Sequence, residues 1–293
     1  MKKMLVFMMA FLVFTWGCAS IVYVSQESGK GQLMTAPDGS PLNPSPLFVT
    51  AFDDSMPSVS HDGNWVAFKR VVGGMDRIVV RQTGDASGTT EKDLAQGTRP
   101  RWAPAGDWVL FRNQGKIYRI RPDGTSLAQI TNPGVNVSDN FGHGYWNANT
   151  VVFGRGTGTG PGQFVGLYLQ EIATATVTPI LSDFSMPAIS HDGTTMACET
   201  RIYLGMATVH YIYLFGIPSL QYLYSIQFIY APGTPSITGV SGVAFSSDDS
   251  RLFFSAIPPN ETKREIYSIK LDGSDLKRLT STVWDEFYPE GYK

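Results

Sequence analysis

The sequence predicts an all-β fold, a six-bladed β-propeller whose N- and C-terminal strands share one blade. Three observations carry that expectation. Ser55-Met56-Pro57-Ser58-Val59-Ser60-His61-Asp62-Gly63 returns as Ser185-Met186-Pro187-Ala188-Ile189-Ser190-His191-Asp192-Gly193, identical at seven of nine positions. Weaker copies open at Pro100, His143, Val243 and Pro289, so the copies begin at 57, 100, 143, 187, 243 and 289, in steps of 43, 43, 44, 56 and 46 residues. A period of roughly 40–50 residues carrying four short strands is the mark of a propeller blade. Finally, 30 Gly and 18 Pro in 293 residues favour many turns and short strands over helices.

The N-terminus reads as a targeting segment. Lys2 and Lys3 precede an apolar run from Met4 to Trp16, which has signal-peptide length and is short for a membrane span. Gly17-Cys18 resembles the end of a bacterial lipobox, with Thr15 and Trp16 at the two upstream positions. Three readings stay open: lipidation at Cys18, cleavage after Ala19, or a retained anchor. Residues 1–18 are assigned to the signal and 19–293 to the propeller. The expected location is the periplasm or outer cell envelope, with membrane contact only through a lipid on Cys18. If Cys18 is lipidated or removed, Cys198 stands alone, on an inward strand position that suits a small buried residue.

Ile21 to Val24, Gln32 to Thr35 and Leu47 to Thr50 are strand-sized runs that lack an inner strand of their own. The unit from 57 to 99 is the clearest: strand 57–60, turn His61-Asp62-Gly63-Asn64, strand 65–70, turn Gly73-Gly74, strand 77–81, and an outer segment near Lys92 to Leu94. The second unit repeats it through Trp108 to Phe111 and Ile117 to Ile120, then Asp123-Gly124, echoed later by Asp272-Gly273. Asp-Gly supplies the positive φ that a tight hairpin needs. The third unit contains the glycine-rich run 154–162. Phosphate cradling requires a following helix, and a strand follows here, so the run reads as a hairpin loop. The fourth unit is longer by about a dozen residues. Its excess, Arg201 to Tyr230, is aromatic and reads as a long hairpin. The last unit supplies only an inner strand, Phe287 to Tyr292, which closes the ring with the N-terminal strands and removes an open edge.

These motifs resemble the TolB-type propeller repeat. Pro-x-x-Ser-x-Asp-Gly is followed by an apolar strand, and Ile266-Tyr267-Ser268-Ile269, Asp272-Gly273 and Arg278-Leu279-Thr280 fit the remainder of that repeat. His61 and His191 stand where the family usually has Pro. The resemblance covers residues 30–293 and does not extend to the separate α/β domain of TolB, so it implies no role in the Tol–Pal system. It implies a fold and not an activity.

The formal charge of −2 and the lack of a basic stripe exclude a polyanion binder, so no nucleic-acid partner is expected. Four residues before each copy stand Asp53, Gln96, Asp139, Asp183, Gly239 and Asp285. Asp53, Asp139, Asp183 and Asp285 either cap their own turns or form an acidic channel mouth that attracts a cation or a basic peptide. Asp54 and Glu286 reinforce the sign. His143 replaces the proline of its copy and is the one histidine expected in the channel, a weak ligand by itself. His61 and His191, three blades apart, are expected to be turn residues unable to share a metal. Tyr211, Tyr213, Tyr222 and Tyr224 are either inter-blade core or an exposed patch for a partner. Neither Gly-x-Ser-x-Gly nor His-Glu-x-x-His occurs, so no catalytic residue, metal or cofactor is assigned. The expected function is a non-catalytic envelope scaffold that docks a protein or peptide at the acidic mouth. The alternative is a propeller lyase, or a glycan-acting or glycan-binding protein, using channel carboxylates and His143.

Overall fold

The computed structural model describes residues 20–37, 44–140, 142–157, 164–204, 207–230 and 236–292. The signal segment with Cys18, and residues 158–163 of the glycine-rich run, lie outside that set. The described residues form six antiparallel sheets, the blades. Blade 1 is Asp53–Val59, Trp65–Val72, Met75–Gln82 and Lys92–Gln96, from the axis outward. Blade 2 is Thr98–Trp102, Val109–Asn113, Lys116–Ile120 and Ala128–Gln129. Blade 3 is His143–Asn147, Thr150–Thr157, Phe164–Glu171 and Val177–Leu181, with Val137–Ser138 also paired to its second strand. Blade 4 is Ser185–Ile189, Thr195–Leu204, Ala207–Gly216 and Gln221–Tyr230. Blade 5 is Thr238–Phe245, Arg251–Ile257, Glu265–Lys270 and Lys277–Arg278. Blade 6 joins the chain ends: Glu286–Tyr292 is its inner strand, followed by Ser20–Ser25, Gln32–Pro37 and Ser45–Pro46.

The second strand of each blade is sandwiched between neighbours, which is why its sequence is apolar on both faces. In blade 1, Val66 and Phe68 pack with Val22, Val24 and Leu33 of blade 6, while Ala67 packs with Val109 and Phe111 of blade 2. Period-2 alternation thus divides one strand between two inter-blade cores. The repeated Ser-x-Asp motif has a local cause. Ser60 Oγ donates to Asp62 Oδ1 (2.5 Å) and accepts the Trp65 N–H (2.9 Å). Ser190 with Asp192 and Ser246 with Asp248 make the same bonds, at 2.6 and 2.7 Å. Those hydroxyl and amide donors hold the three aspartates below the usual carboxylate range.

One expectation is corrected in detail. The outer strand of blade 6 is Ser45–Pro46 and not Leu47 to Thr50. The Leu47 N–H still donates to Leu33 O (2.8 Å), but the chain then turns inward and buries Phe48 beneath the Arg81 guanidinium, 4.0 Å from the ring centroid. The excess of blade 4 is the long hairpin expected, Ala207–Gly216 paired with Gln221–Tyr230. The second, third and fourth strands of this blade each extend to ten residues.

Candidate functional site

All six inner strands run from one mouth of the central channel, here the upper, to the other, the lower. Each contains a bulge immediately before its repeat anchor. The residue there has positive φ in every blade: Met56 (54°), Arg99 (55°), Gly142 (87°), Met186 (51°), Gly242 (71°) and Tyr288 (51°). Four of these six are not glycine, in a region that non-glycine residues seldom occupy. Gly142 has no alternative, because a Cβ there would lie 2.7 Å from Met186 Cα of the next blade. The bulges shift the ladder register, as between Ser55 and Ser58 or between Thr98 and Arg101, and re-aim the flanking side chains.

The four sequence-predicted aspartates stand at the upper mouth, each on the loop of its own blade. Asp53 accepts the Gly31 N–H (2.8 Å), and Asp285 accepts the Arg264 N–H and the Lys263 ammonium, both at 2.9 Å. Asp139 is fully buried and paired with Arg155 at 2.7 and 3.2 Å. Asp183 is exposed, at φ 64°. Asp54, next to Asp53, is also buried and paired with Arg70 at 2.7 and 2.9 Å. Asp54–Arg70 and Asp139–Arg155 both span sixteen residues, so blades 1 and 3 carry equivalent braces between first and second strands. Glu286 holds the same place in blade 6. Burial pushes it up to about 8, against the pull of the Thr282 and Ser25 hydroxyls.

Deeper in the channel the charge is positive. Arg99 and Arg101 project from the inner strand of blade 2, and Arg112 from its second strand. Arg99 reaches Met186 Sδ at 3.5 Å and Arg112 reaches Asn140 O at 3.4 Å. Arg101 touches the Pro57 and Pro100 carbonyls at 3.4 and 3.3 Å and lies 3.8 Å from Glu290. Burial lowers the pKa of Arg99 and Arg112, only partly opposed by Glu199 for the first and Asp76 for the second. His143 is 3% exposed, and neither ring nitrogen makes a hydrogen bond. Burial, with Arg101, Arg99 and Arg112, pushes it down to about 3, so the imidazole is neutral at ordinary pH. On the blade 4 side, burial lifts Glu199 to about 7 against the Val243 N–H and Arg201.

Below this layer the channel widens into a cavity of about 130 Å³ lined by Arg101, His143, Glu290 and apolar groups that include Trp102, Ile189 and Phe245. His61 and His191 stand at its mouth with ring centroids 6.1 Å apart. Both are turn residues, as expected, but the separation expected from three intervening blades is corrected. Three blades is half a turn, so the two turns face each other across the axis and both rings reach over the opening. His191 Nδ1 lies 2.9 Å from Asp249 Oδ1 and Nε2 lies 3.2 Å from Gly291 O. Burial works to lower its pKa, but Asp249 and then Glu290 outweigh it, and the pKa rises. Among the described residues, no group of three or more His, Cys, Asp or Glu is disposed to hold a metal ion.

The tyrosines of blade 4 divide by face. Tyr213 packs with Phe184 (5.1 Å between centroids), Phe215 and Tyr222, toward blade 3, and Tyr211 packs on Tyr213 at 5.6 Å. Tyr224 lies over Gly273 of blade 5, yet Tyr222 and Tyr224 remain 54% and 44% exposed on the outermost strand. Trp102 and Trp146 are buried between blades and line no open groove. Cys198 is buried and free, and burial pushes its thiol up. Arg99, Arg101 and Glu290 went unread in the sequence although the signal was present: they occupy the columns one residue before and one residue after the repeat anchor.

No protein-family model and no curated protein matches the sequence. Solved structures do. TolB from Acinetobacter baumannii superposes with a TM-score of 0.67 at 17% identity, covering 93% of this chain and 66% of that one. The chain thus spans just under two thirds of that TolB. The putative TolB from Agrobacterium tumefaciens gives 0.61 at 13% identity, covering 94% and 98%. An oligogalacturonate lyase from Vibrio parahaemolyticus gives 0.52 at 9%, covering 91% and 86%. At these identities the likeness lies in the fold. With six antiparallel blades, one of them shared by the chain ends, the chain is a six-bladed β-propeller similar in fold to the TolB structures.

Proposed function

We propose that this propeller is a non-catalytic scaffold of the cell envelope, exported by its N-terminal segment, that docks a protein or peptide at the upper mouth. One observation carries the reading. Val49, Phe52, Val283 and Trp284 are 85%, 46%, 73% and 38% exposed on two neighbouring loops, those leading into blades 1 and 6. The turn 26–31 ties the loops into one rim: the Gln26 N–H donates to Asp285 O, and Lys30 Nζ to Ala51 O, both at 3.0 Å. Clustered apolar side chains at a surface mark an interaction site more strongly than scattered ones. Asp285 lies on one of these loops and Asp53 opens the strand that the other enters; the exposed Asp183 adds to the acidic sequence, while Asp139 is buried and neutralised by Arg155. The fitting partner is an extended segment with apolar residues flanked by Lys or Arg, its approach steered by the carboxylates.

The alternative, a lyase or a glycan-acting or glycan-binding protein, draws on His143 beside Arg101 and Glu290, and on the lyase among the structural neighbours. Cavity size ranks it second. A cavity of about 130 Å³ is close to the ~150 Å³ that encloses a benzene, which is small for an oligosaccharide.

The test is crosslinking capture from envelope extract, comparing the native chain with Phe52→Ser/Trp284→Ser and with Asp183→Asn/Asp285→Asn. The expected result is one partner, recovered at least about tenfold less by the apolar variant, as for loss of interface anchors. The aspartate variant should retain it with a weaker dependence on salt. Equal recovery by all three folded proteins overturns the reading.

A further inference from the structure

The charged interior of the channel is unused by a partner held at the rim, and its composition is specific. Three guanidiniums, Arg99, Arg101 and Arg112, converge on it, and the one carboxylate at ion-pair distance from any of them is Glu290, 3.8 Å from Arg101. The other arginine contacts there are to carbonyls at 3.3–3.4 Å or to sulfur at 3.5 Å, at the long end for a hydrogen bond. His143 lines the same cavity, 97% buried by its 3% exposure, with both nitrogens unpartnered. A buried polar group without a partner is costly, and so is a buried cation without an anion. Of the three arginines Arg101 lines the cavity, with only a long contact to Glu290, so it faces the same space as the unpartnered His143. That space exists because the neighbouring wall positions are Gly144, Ala188 and Ala244.

We propose that this cavity is a binding site for a small organic monocarboxylate, its carboxylate held by Arg101 and His143 and its carbon tail against Trp102, Ile189 and Phe245. An Arg fork suits a carboxylate through two parallel bonds, and the neutral imidazole supplies one further donor. Arg101 is the one arginine among the described residues that lines the cavity, and Glu290 already faces it, so the site balances a single further negative charge and not two. The volume admits a ligand of about benzene size, a chain of roughly four to six heavy atoms. Access is through the lower mouth between His61 and His191.

The experiment measures thermal denaturation and titration calorimetry of the full chain with butyrate, and with butyramide, phosphate and chloride at matched ionic strength. Butyrate is expected to raise the melting temperature saturably in the millimolar range, while the other three do not. Arg101→Gln should weaken butyrate at least about tenfold, the loss of a charge-assisted pair. Because that variant might alter folding, Ala188→Leu provides the second arm: it fills the cavity, keeps every charge, and should abolish the shift. Lys92→Gln, exposed on the outer strand of blade 1, should keep it. Three outcomes overturn the proposal: an equal response to butyramide, a response to phosphate or chloride that matches butyrate, or butyrate binding unchanged in both cavity variants. Absence of any butyrate response also overturns it.

Discussion

Glu199 and His191 show how burial and partners set opposite charges a few ångströms from the channel. Glu199 is held up to about 7 by burial, from a starting value of 4.5. The folded protein therefore keeps this proton over a range where the unfolded chain has released it, and stability falls as pH rises from about 4.5 to about 7. At 1.36 kcal/mol per pKa unit the loss is on the order of 3 kcal/mol. His191, whose pKa is raised, pulls in the same direction, its contribution fading as pH climbs through the raised value. His143 and His210, pushed down to about 3 and about 4, act oppositely: they are neutral when folded, so stability falls as pH drops below the ordinary histidine value of 6.5. Glu286, pushed up to about 8, and Glu290, also raised by burial, act in the same direction, so Glu199→Gln should remove part of the decline between pH 5 and 7, measured by urea unfolding across that range. An unchanged slope would place the titrating group elsewhere. Residue-level chemistry of this kind was only partly legible. His143 was singled out as the channel histidine, but its isolation depends on Arg99, Arg101 and Arg112, two of which reach it from another blade's inner strand.

At the scale of elements, the Ser-x-Asp turn and the apolar second strand were readable because each is made by neighbours in the chain. The length of the blade edges is where function and hazard meet. Five outer strands have two to five residues: Ser45–Pro46, Lys92–Gln96, Ala128–Gln129, Val177–Leu181 and Lys277–Arg278. All five are very short or carry Lys or Pro, devices that discourage edge-to-edge pairing, Val177–Leu181 through Pro179. Gln221–Tyr230 of blade 4 has ten residues, no charge and no proline, with Tyr222, Leu223, Tyr224 and Ile229 44–54% exposed. Leu223→Lys should slow aggregation on mild heating, followed by light scattering, and leave the melting temperature within a few degrees because this side chain is half exposed. Faster or equal aggregation would acquit the edge. Sequence reading found the aromatic density of this segment but left its faces open, because alternation in Tyr211 to Phe215 is weak and the bulge between Leu214 and Phe215 shifts the pairing.

The whole molecule depends on closure. Glu286–Tyr292 pairs with Ser20–Ser25 in a register running from Ser20↔Tyr292 to Ser25↔Glu286, so the last strand of the chain completes the sheet that the first one began. It also packs on both neighbours: Phe287 and Tyr288 lie against the blade 6–1 core, and Gly291 meets Phe245 and Ser246 of blade 5 too closely for a Cβ. Deleting residues 286–293 should expose two inter-blade faces at once. The expected result is a melting temperature lower by at least about 10 °C, as for a loss of several kcal/mol in a chain of this size, with a broadened transition by circular dichroism. A sharp transition at the native temperature would show that the ring tolerates an open blade.

By itself the sequence determined the number of blades, the position of every inner strand, the Asp-Gly and Ser-x-Asp turns, and the sharing of one blade by the chain ends. All of these follow from a period written in the chain and from turns made by adjacent residues. Only the tertiary structure decided what faces the axis. It paired Asp54 and Asp139 with arginines, set His61 against His191, joined the loops of Phe52 and Trp284 into one rim, and gathered Arg101, His143 and Glu290 around one cavity. The physical reason is that a propeller brings together residues from non-adjacent blades, 189 positions apart for Arg101 and Glu290. Such contacts are set by rotation about the axis and by bulges that re-aim side chains, neither of which is written in the local pattern.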